Sequence, residues 1–220
     1  MDKQKRVLEV DDVSIRFSGD SGDGMQLTGT LFSDTSALLG NGVSTFPDYP
    51  AEIRAPQGTV GGVSGFQLQI GNRKIHTPGD DCDVLIAMNP AALKANAKWL
   101  KPGATVIVDS DTFNEKGFQR AKYKTNDPVT ELKLADYNII FAPITTLTKE
   151  SLKDAELDNK SILRSKNMFA LGMVYYMFDR PLEFTEHYFE VKFKSRPRIV
   201  EANKKVLRDG FNYAGNIDAI

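Results

Sequence analysis

A glycine-rich turn stands between two ordered segments near the start of the chain. Residues 17–25 read FSGDSGDGM; they follow an apolar run at 13–17 and precede a helix-like run at 26–39. This order predicts a turn from a strand into a helix. Glycine lets such a turn bend tightly and lets a ligand approach the backbone. The free N–H groups that open the helix favour a phosphate or carboxylate there, so the turn is a candidate anion cradle.

The glycine spacing matches neither of two common nucleotide-binding patterns. Gly19-x-x-Gly22-x-Gly24 differs from the dinucleotide fingerprint G-x-G-x-x-G, and the nearest candidate for its ribose-binding acid, Asp48, lies in a proline-flanked segment. P-loop spacing begins at Gly24, but Thr30 stands where that motif needs lysine. Nicotinamide binding and a P-loop NTPase are therefore both disfavoured.

Two further interpretations of the turn concern its acids and its glycines. Gly22-Asp23-Gly24 resembles the start of the thiamine-diphosphate signature, but the asparagine pair that should complete Mg²⁺ coordination does not follow. Alternatively, the glycines only connect a strand to a helix. That alternative stays open because Asp20 and Asp23 would repel an anion unless their side chains point away or cap the helix.

Composition restricts the class of protein. The chain has 220 residues, 41% hydrophobic and 26% charged, with a net charge of -1, as in ordinary globular proteins. The absence of basic excess argues against nucleic-acid binding. No apolar run approaches the roughly 18 residues of a membrane span, and no signal-peptide core is visible, so a cytoplasmic protein is expected. Cys82 is the single cysteine; it is interpreted as a small buried hydrophobe.

The hydrophobic pattern predicts alternating strands and helices. Strands are expected at 13–17, 43–46, 66–70, 83–88, 105–108 and 137–141, with a hairpin partner at 73–76 and an irregular loop at 47–56. Helices are expected at 26–39 and 90–99, from about residue 160 onward, at 183–193 and at 197–213. Residues 1–11 are expected to fray, and residues 12–220 to form one domain.

This alternation predicts an α/β fold, a three-layer α/β/α sandwich around a mostly parallel, mixed sheet of Rossmann-like type with a helical C-terminal part. In such a sheet the glycine turn, Asn89 and residues 109–111 follow strand ends and share the carboxyl edge, where ligands of open α/β sheets bind.

Three blocks together resemble the gamma subunit or gamma domain of 2-oxoacid:ferredoxin (acceptor) oxidoreductases. They are Gly19-Asp-Ser-Gly-Asp-Gly-Met25, Pro47-Asp-Tyr-Pro-Ala-Glu-Ile-Arg-Ala-Pro-Gln-Gly58 and Asp83-Val-Leu-Ile-Ala-Met-Asn89. The resemblance covers about residues 12–210. The second block looks most like the N-terminal part of the fused gamma–alpha subunit of 2-oxoglutarate-type enzymes. In such chains a thiamine-diphosphate pyrimidine domain follows the gamma domain, about where this sequence ends.

The resemblance implies a reaction and an assignment of its cofactors to different domains or subunits. The reaction is oxidative decarboxylation of a 2-oxoacid, here 2-oxoglutarate, to an acyl-CoA, with electrons passing to ferredoxin or another acceptor. Thiamine diphosphate, Mg²⁺ and the iron–sulfur cluster are implied on partner alpha and beta domains or subunits. The gamma domain is implied to help bind coenzyme A and to cover the active site, and the isolated chain is expected to be inactive.

The resemblance also implies site residues. Those expected to bind coenzyme A are Ser18, Gly19, Ser21, Gly22, Asp23, Gly24, Met25 and Asn89; a loop expected on the substrate side carries Tyr49, Glu52 and Arg54. No catalytic residue and no metal ligand are expected. Two alternative functions stay open: a stand-alone nucleotide-binding or regulatory module, and an NAD(P)-dependent oxidoreductase.

Overall fold

A computed structural model describes residues 9–52 and 55–219. Of the N-terminal stretch expected to fray, residues 1–8 lie outside the described part, and residues 9–11 are exposed and precede the first strand. Ile53, Arg54 and Ile220 also lie outside it. Six strands form one sheet within the described residues: β1 (Asp12–Asp20), β2 (Gly42–Asp48), β3 (Val63–Gly71), β4 (Cys82–Ala87), β5 (Leu100–Asp109) and β6 (Asn138–Ala142).

The sheet is mixed, as the sequence predicts. Its strand order is β2-β3-β1-β4-β5-β6. The pairs β1–β4, β4–β5 and β5–β6 are parallel, whereas β3 runs antiparallel to both of its neighbours. Apolar side chains of β4 and β5 are buried on both faces of the sheet, which requires helices on both sides.

The described helices are α1 (Met25–Leu38), α2 (Pro90–Asn96), α3 (Glu115–Arg120), α4 (Pro128–Glu131), α5 (Ile144–Ser151), α6 (Asn159–Arg164), α7 (Lys166–Met177), α8 (Glu183–Lys192) and α9 (Pro197–Asn216). Helices α3, α4 and α5 were not predicted. No helix of the described residues combines the length and apolar character that crossing a bilayer requires.

The two faces of the sheet carry separate hydrophobic cores. The larger core joins the sheet to α1, α7 and α9; its fully buried aromatic residues include Phe17, Phe32, Phe169 and Tyr175. The smaller core lies on the opposite face, where Leu85 and Val106 pack with residues of α2. Alternate residues of β4 therefore enter different cores, since neighbouring strand side chains point to opposite faces.

Two details of the predicted strand pattern are wrong. Residues 73–76 form no strand, because β3 already pairs with β1 on one side and β2 on the other. Strand β2 continues through Pro47 to Asp48, inside the segment predicted to be an irregular loop. Proline is tolerated there because β2 is an edge strand, with one side free of ladder hydrogen bonds.

Candidate ligand site at the carboxyl edge of the sheet

Three parallel strands end at one edge of the sheet. Strand β1 leads into the glycine turn, β4 into Met88 and Asn89, and β5 into Asp109 and the residues after it. Because β1, β4 and β5 are parallel neighbours, these termini lie side by side, as the sequence predicts.

Asp20 and Asp23 close the glycine turn. The N–H groups of Gly22 and Asp23 donate to the Asp20 carbonyl, at 2.7 and 2.9 Å. In return, Asp23 Oδ2 accepts the N–H of Asp20 at 2.9 Å, while its Oδ1 lies 2.9 Å from the ammonium of Lys166. The charge of Asp23 is thus balanced by a lysine of α7, and its carboxylate is used within the turn.

The Asp20 carboxylate ties the turn to the loop after β2. Its two oxygens accept the N–H of Gly58, at 3.1 and 2.9 Å. Burial raises the pKa of Asp20 above its ordinary value, and the hydrogen bond from Gly58 acts in the opposite direction. Both acids of the turn therefore have partners, so the repulsion expected between them and an anion is reduced.

A larger cavity opens on one side of this Asp20–Gly58 contact. Its volume is about 490 Å³. Ser21 and Gly22 form its wall on the turn, and Tyr49 and Glu52 belong to its wall on the loop. The other described lining residues are Asp20, Pro50, Ala55, Pro56, Gln57 and Gly62. The loop expected on the substrate side thus meets the glycine turn across one cavity.

A smaller cavity adjoins it. Its volume is about 250 Å³, and it shares Asp20 and Gln57 with the larger one. The other residues that line the smaller cavity are Asp23, Gly58, Met88, Asn89, Pro90, Asp111, Thr112, Asn114, Lys116, Gly117, Arg120 and Lys166. The ends of β1 and β4, the start of α3 and the start of α7 therefore meet around one space.

The predicted binding residues divide among these surroundings. Ser21 and Gly22 line the larger cavity, and Asp23 and Asn89 line the smaller one. Gly24 and Met25 belong to neither lining. Tyr49 and Glu52 line the larger cavity, and Tyr49 is 70% exposed. Arg54 lies outside the described residues, although its neighbour Ala55 lines the same cavity.

Ser18 and Gly19, near the end of β1, help to maintain the shape of the turn. Ser18 is fully buried; its hydroxyl accepts from Asn96 Nδ2 at 2.8 Å and donates to the Ser64 carbonyl at 3.3 Å. A Cβ on Gly19 would lie 2.7 Å from the Asp23 carboxylate. Glycine at position 19 therefore leaves room for the side chain that closes the turn.

Gly22 and Gly24 face different surroundings. A Cβ on Gly22 would meet none of the described residues within 4 Å. Gly24 has φ +75°, and a Cβ there would lie 2.4 Å from Nδ2 of buried Asn167. The side chain of Asn167 donates to the Gly24 carbonyl at 3.4 Å, and its Oδ1 has no hydrogen-bond partner in the described part of the chain. Gly22 thus borders open space, while Gly24 is enclosed.

Asn89 and Asp109 have local structural partners. Asn89 Oδ1 accepts the N–H of Ala92 at 2.8 Å and so caps α2. Asp109 is buried and accepts the N–H and hydroxyl of Thr145, at 3.2 and 2.6 Å. Burial raises the pKa of Asp109, against the lowering effect of the two bonds from Thr145. The Asn89 side chain also forms a hydrogen bond with the Asp20 carboxylate that acts to lower the pKa of Asp20, so it links the end of β4 to the glycine turn.

A buried arginine fixes the start of the loop. Arg16, 8% exposed, donates from Nε to Asn96 and from Nη1 to Gln67, at 2.5 and 2.9 Å, and pairs with Asp48 through Nη2. Sequence reasoning missed this network, because Arg16 stands within the apolar pattern of β1. The Asp48 carboxylate is therefore held by Arg16.

Cys82 is buried, as predicted, and burial raises the pKa of its thiol to about 12. In the described part of the chain, no group of three or more His, Cys, Asp or Glu side chains is placed to hold a metal ion.

The fold and site define a class: an α/β domain with a mixed six-stranded sheet and adjoining cavities at its carboxyl edge. Residues 14–213 match the family model described as pyruvate ferredoxin/flavodoxin oxidoreductase. The chain belongs to this family.

Comparison with a curated relative shows which part of a protein the chain represents. It is 48% identical over 210 residues to the 2-oxoglutarate oxidoreductase subunit KorA of Mycobacterium tuberculosis, an alignment that covers 96% of this chain and 32% of that subunit. The chain thus spans about a third of the length of the curated relatives it matches.

Solved structures show the same fold. A 2-oxoglutarate:ferredoxin oxidoreductase from Magnetococcus marinus, with 2-oxoglutarate, coenzyme A and succinyl-CoA bound, matches with a TM-score of 0.71 and 23% identity, over 94% of this chain and 32% of that one. The gamma subunit of a keto/oxoacid ferredoxin oxidoreductase from Geobacter sulfurreducens matches with a TM-score of 0.62 and 22% identity, over 93% and 99%. This chain therefore shares its α/β fold with these two structures.

Proposed function

We propose that this chain is the gamma domain of a 2-oxoglutarate:ferredoxin oxidoreductase and that the carboxyl edge of its sheet helps bind coenzyme A. The observation that carries the proposal is the open space beside Gly22 in the larger cavity, which adjoins the smaller cavity at Asp20, the last residue of β1. The family match and the 48% identity to a 2-oxoglutarate oxidoreductase subunit support the choice of substrate.

The turn residues have different roles in this proposal. Ser21 and Gly22 form the wall that coenzyme A touches, because they line the larger cavity and glycine leaves the approach to the backbone open. Ser18, Gly19 and Asp23 hold that wall in place through the contacts described above. Gly24 and Met25 set the start of α1, whose N-terminal dipole favours an anion nearby.

The proposal assigns the remaining chemistry to partner alpha and beta domains or subunits. Thiamine diphosphate with Mg²⁺ supplies the ylid for decarboxylation, and an iron–sulfur cluster carries electrons to ferredoxin or another acceptor. Cys82 is the single cysteine and is buried, whereas an iron–sulfur cluster needs several thiolate ligands. This chain contributes binding and orientation of coenzyme A.

The loop between β2 and β3 completes the proposal. Tyr49 is largely exposed at the rim of the larger cavity, and Glu52 lines the same cavity. We assign this loop, with Arg54, to the face toward the partner domains that hold the 2-oxoacid. Arginine suits that position because its guanidinium binds carboxylates with two parallel hydrogen bonds.

The test is coenzyme A binding to the chain purified with its partner subunits. Gly22→Leu places a side chain into open space without a clash in the protein, so it should lower coenzyme A affinity at least about tenfold and leave the melting temperature unchanged. Calorimetry with coenzyme A, and with NAD as the competing ligand, measures this directly. Gly24→Val is a poor probe, since its strained φ and the contact with Asn167 would disturb folding first.

Thr30→Leu is the matched control, because it adds the same side chain at an exposed position of α1 outside both linings. It should bind coenzyme A normally. Unchanged affinity in Gly22→Leu would refute the role of the turn. Binding of NAD in place of coenzyme A, or purification of the chain as a ligand-binding monomer without partner subunits, would refute the oxidoreductase assignment.

A further inference from the structure

The smaller cavity differs in charge from the larger one. We propose that it is the subsite for the 3′-phosphate of coenzyme A, recognised by Lys116 and Arg120 of α3, while the larger cavity takes the neutral pantetheine arm. This inference rests on the proposed function and adds to it the orientation of the ligand and the two residues that select its phosphorylated form.

The cations of the smaller cavity are not equivalent. Lys166 lies 2.9 Å from Asp23 and is already paired. Lys116 and Arg120 form no ion pair with any carboxylate of the described residues, although both line the cavity. They are four residues apart on α3, so their side chains share one face of the helix. Two free positive charges therefore converge on this space.

The acids of the same cavity are engaged elsewhere. Asp20 accepts the N–H of Gly58, and Asp23 accepts that of Asp20. Asp111 accepts the backbone N–H and the hydroxyl of Thr146, at 2.6 and 3.0 Å. Each carboxylate thus has donors of its own, which leaves Lys116 and Arg120 as the charges available to an incoming anion.

The larger cavity has the opposite character. Its described lining contains the carboxylates of Asp20 and Glu52 and neither lysine nor arginine. The rest of its surface is partly aromatic or apolar and comes from Tyr49, Pro50, Ala55 and Pro56. Such a wall disfavours a phosphate and suits a neutral chain of amides and methylenes.

Arg120 lies against Gly58 in the wall of the smaller cavity. Its side chain packs over Gly58, where a Cβ would lie 3.2 Å from Arg120 Cδ. Gly58 is in turn held by the Asp20 carboxylate. The Asp20–Gly58 contact therefore fixes the backbone against which Arg120 packs. Because Asp20 lines both cavities, a ligand that passes it with its phosphate end at Arg120 would bring its neutral end toward Tyr49.

A phosphate monoester is the anion that this pair fits. Near neutral pH it carries about 1.5 to 2 negative charges on three terminal oxygens, enough for both a bidentate arginine and a lysine. The pyrophosphate lies between the two ends of the same ligand and would pass Gln57, which lines both cavities.

The test compares coenzyme A with 3′-dephospho-coenzyme A on the chain purified with its partner subunits. The wild-type protein should bind coenzyme A about tenfold more tightly. Lys116→Gln combined with Arg120→Gln should remove this preference while the affinity for 3′-dephospho-coenzyme A stays the same. Raising the salt concentration should weaken coenzyme A binding more than binding of the dephospho form.

Lys192→Gln combined with Lys194→Gln is the control for net charge, since both lysines are exposed outside the two linings; it should keep the preference. Equal affinity of the wild-type protein for both ligands would overturn the 3′-phosphate subsite and leave coenzyme A binding intact. Equal losses for both ligands in the double variant would show that α3 contacts the pyrophosphate and would also overturn the inference. Binding of neither ligand would overturn the proposed function itself.

Discussion

Glycine has opposite structural roles in two regions of the molecule, the α7–α9 helix pair and the turn after β1. A Cβ on Gly172 would lie 2.0 Å from the Leu207 carbonyl oxygen, and one on Gly210 would lie 2.1 Å from that of Phe169. A Cβ on Gly22 would meet nothing within 4 Å among the residues that the structure describes. One region uses glycine to remove space between two helices, whereas the other uses it to leave space open.

The difference shows how stability and binding are separated in this fold. The helix pair belongs to the larger core, where Phe169 and Val206 are buried. The turn lies at the carboxyl edge, and polar contacts keep its shape. A change in the helix pair should therefore alter stability, while a change at Gly22 should alter ligand binding.

The largest effect is expected at Gly172. Alanine is the better helix former by about 1 kcal/mol, but its methyl group would meet the backbone of α9, which cannot rotate away. Gly172→Ala should therefore lower the free energy of unfolding by about 3 kcal/mol and the melting temperature by about 6–12 °C. Urea and thermal unfolding measure both, and a stabilised variant would show that the helices are not in backbone contact.

A smaller effect is expected at Gly24. Its φ of +75° and the nearby Asn167 amide oppose any side chain, so Gly24→Ala should cost about 1–2 kcal/mol. Gly22→Ala, two residues away, should change stability by less than about 0.5 kcal/mol. Urea unfolding of both variants measures the two losses of stability. Equal losses would mean that the two glycines do not differ in their surroundings.

The smallest effect concerns the buried acid at the end of β5. Burial raises the pKa of Asp109 above 3.8 in the folded protein. Below pH 3.8 the Asp109 carboxyl is protonated in both the folded and the unfolded protein. As the pH rises from there through the raised pKa, the unfolded state releases its proton first, so the free energy of unfolding falls. A neutral side chain at this position would not cause this fall. Asp109→Asn keeps an acceptor for the Thr145 N–H and removes the charge.

Its stability relative to wild type should therefore increase from acidic to neutral pH, by less than about 1 kcal/mol. Urea unfolding at pH values of about 4 and 7 measures the difference. A relative stability that is constant across this range would show that the Asp109 carboxyl titrates at its ordinary pKa in the folded protein.

Local sequence pattern determined much of this protein. Strands with apolar runs, such as β4, and helices with broad apolar faces, such as α7, were predicted near their observed positions, because burial periodicity acts over a few residues. The placement of the strand ends at one edge also followed from the alternation of strands and helices, since parallel strands end at one edge, whereas the strand order β2-β3-β1-β4-β5-β6 did not. The gamma-type resemblance required only three blocks of residues and their order.

Only the tertiary structure decided the contacts that make the site. The pairing of Asp23 with Lys166, the hydrogen bond of Gly58 to Asp20 and the placing of Lys116 and Arg120 beside Asn89 join segments far apart in the chain. The same holds for the different surroundings of Gly22 and Gly24, which the motif presents as equivalent. Periodicity records which face of an element is buried, but not which distant side chain packs against it.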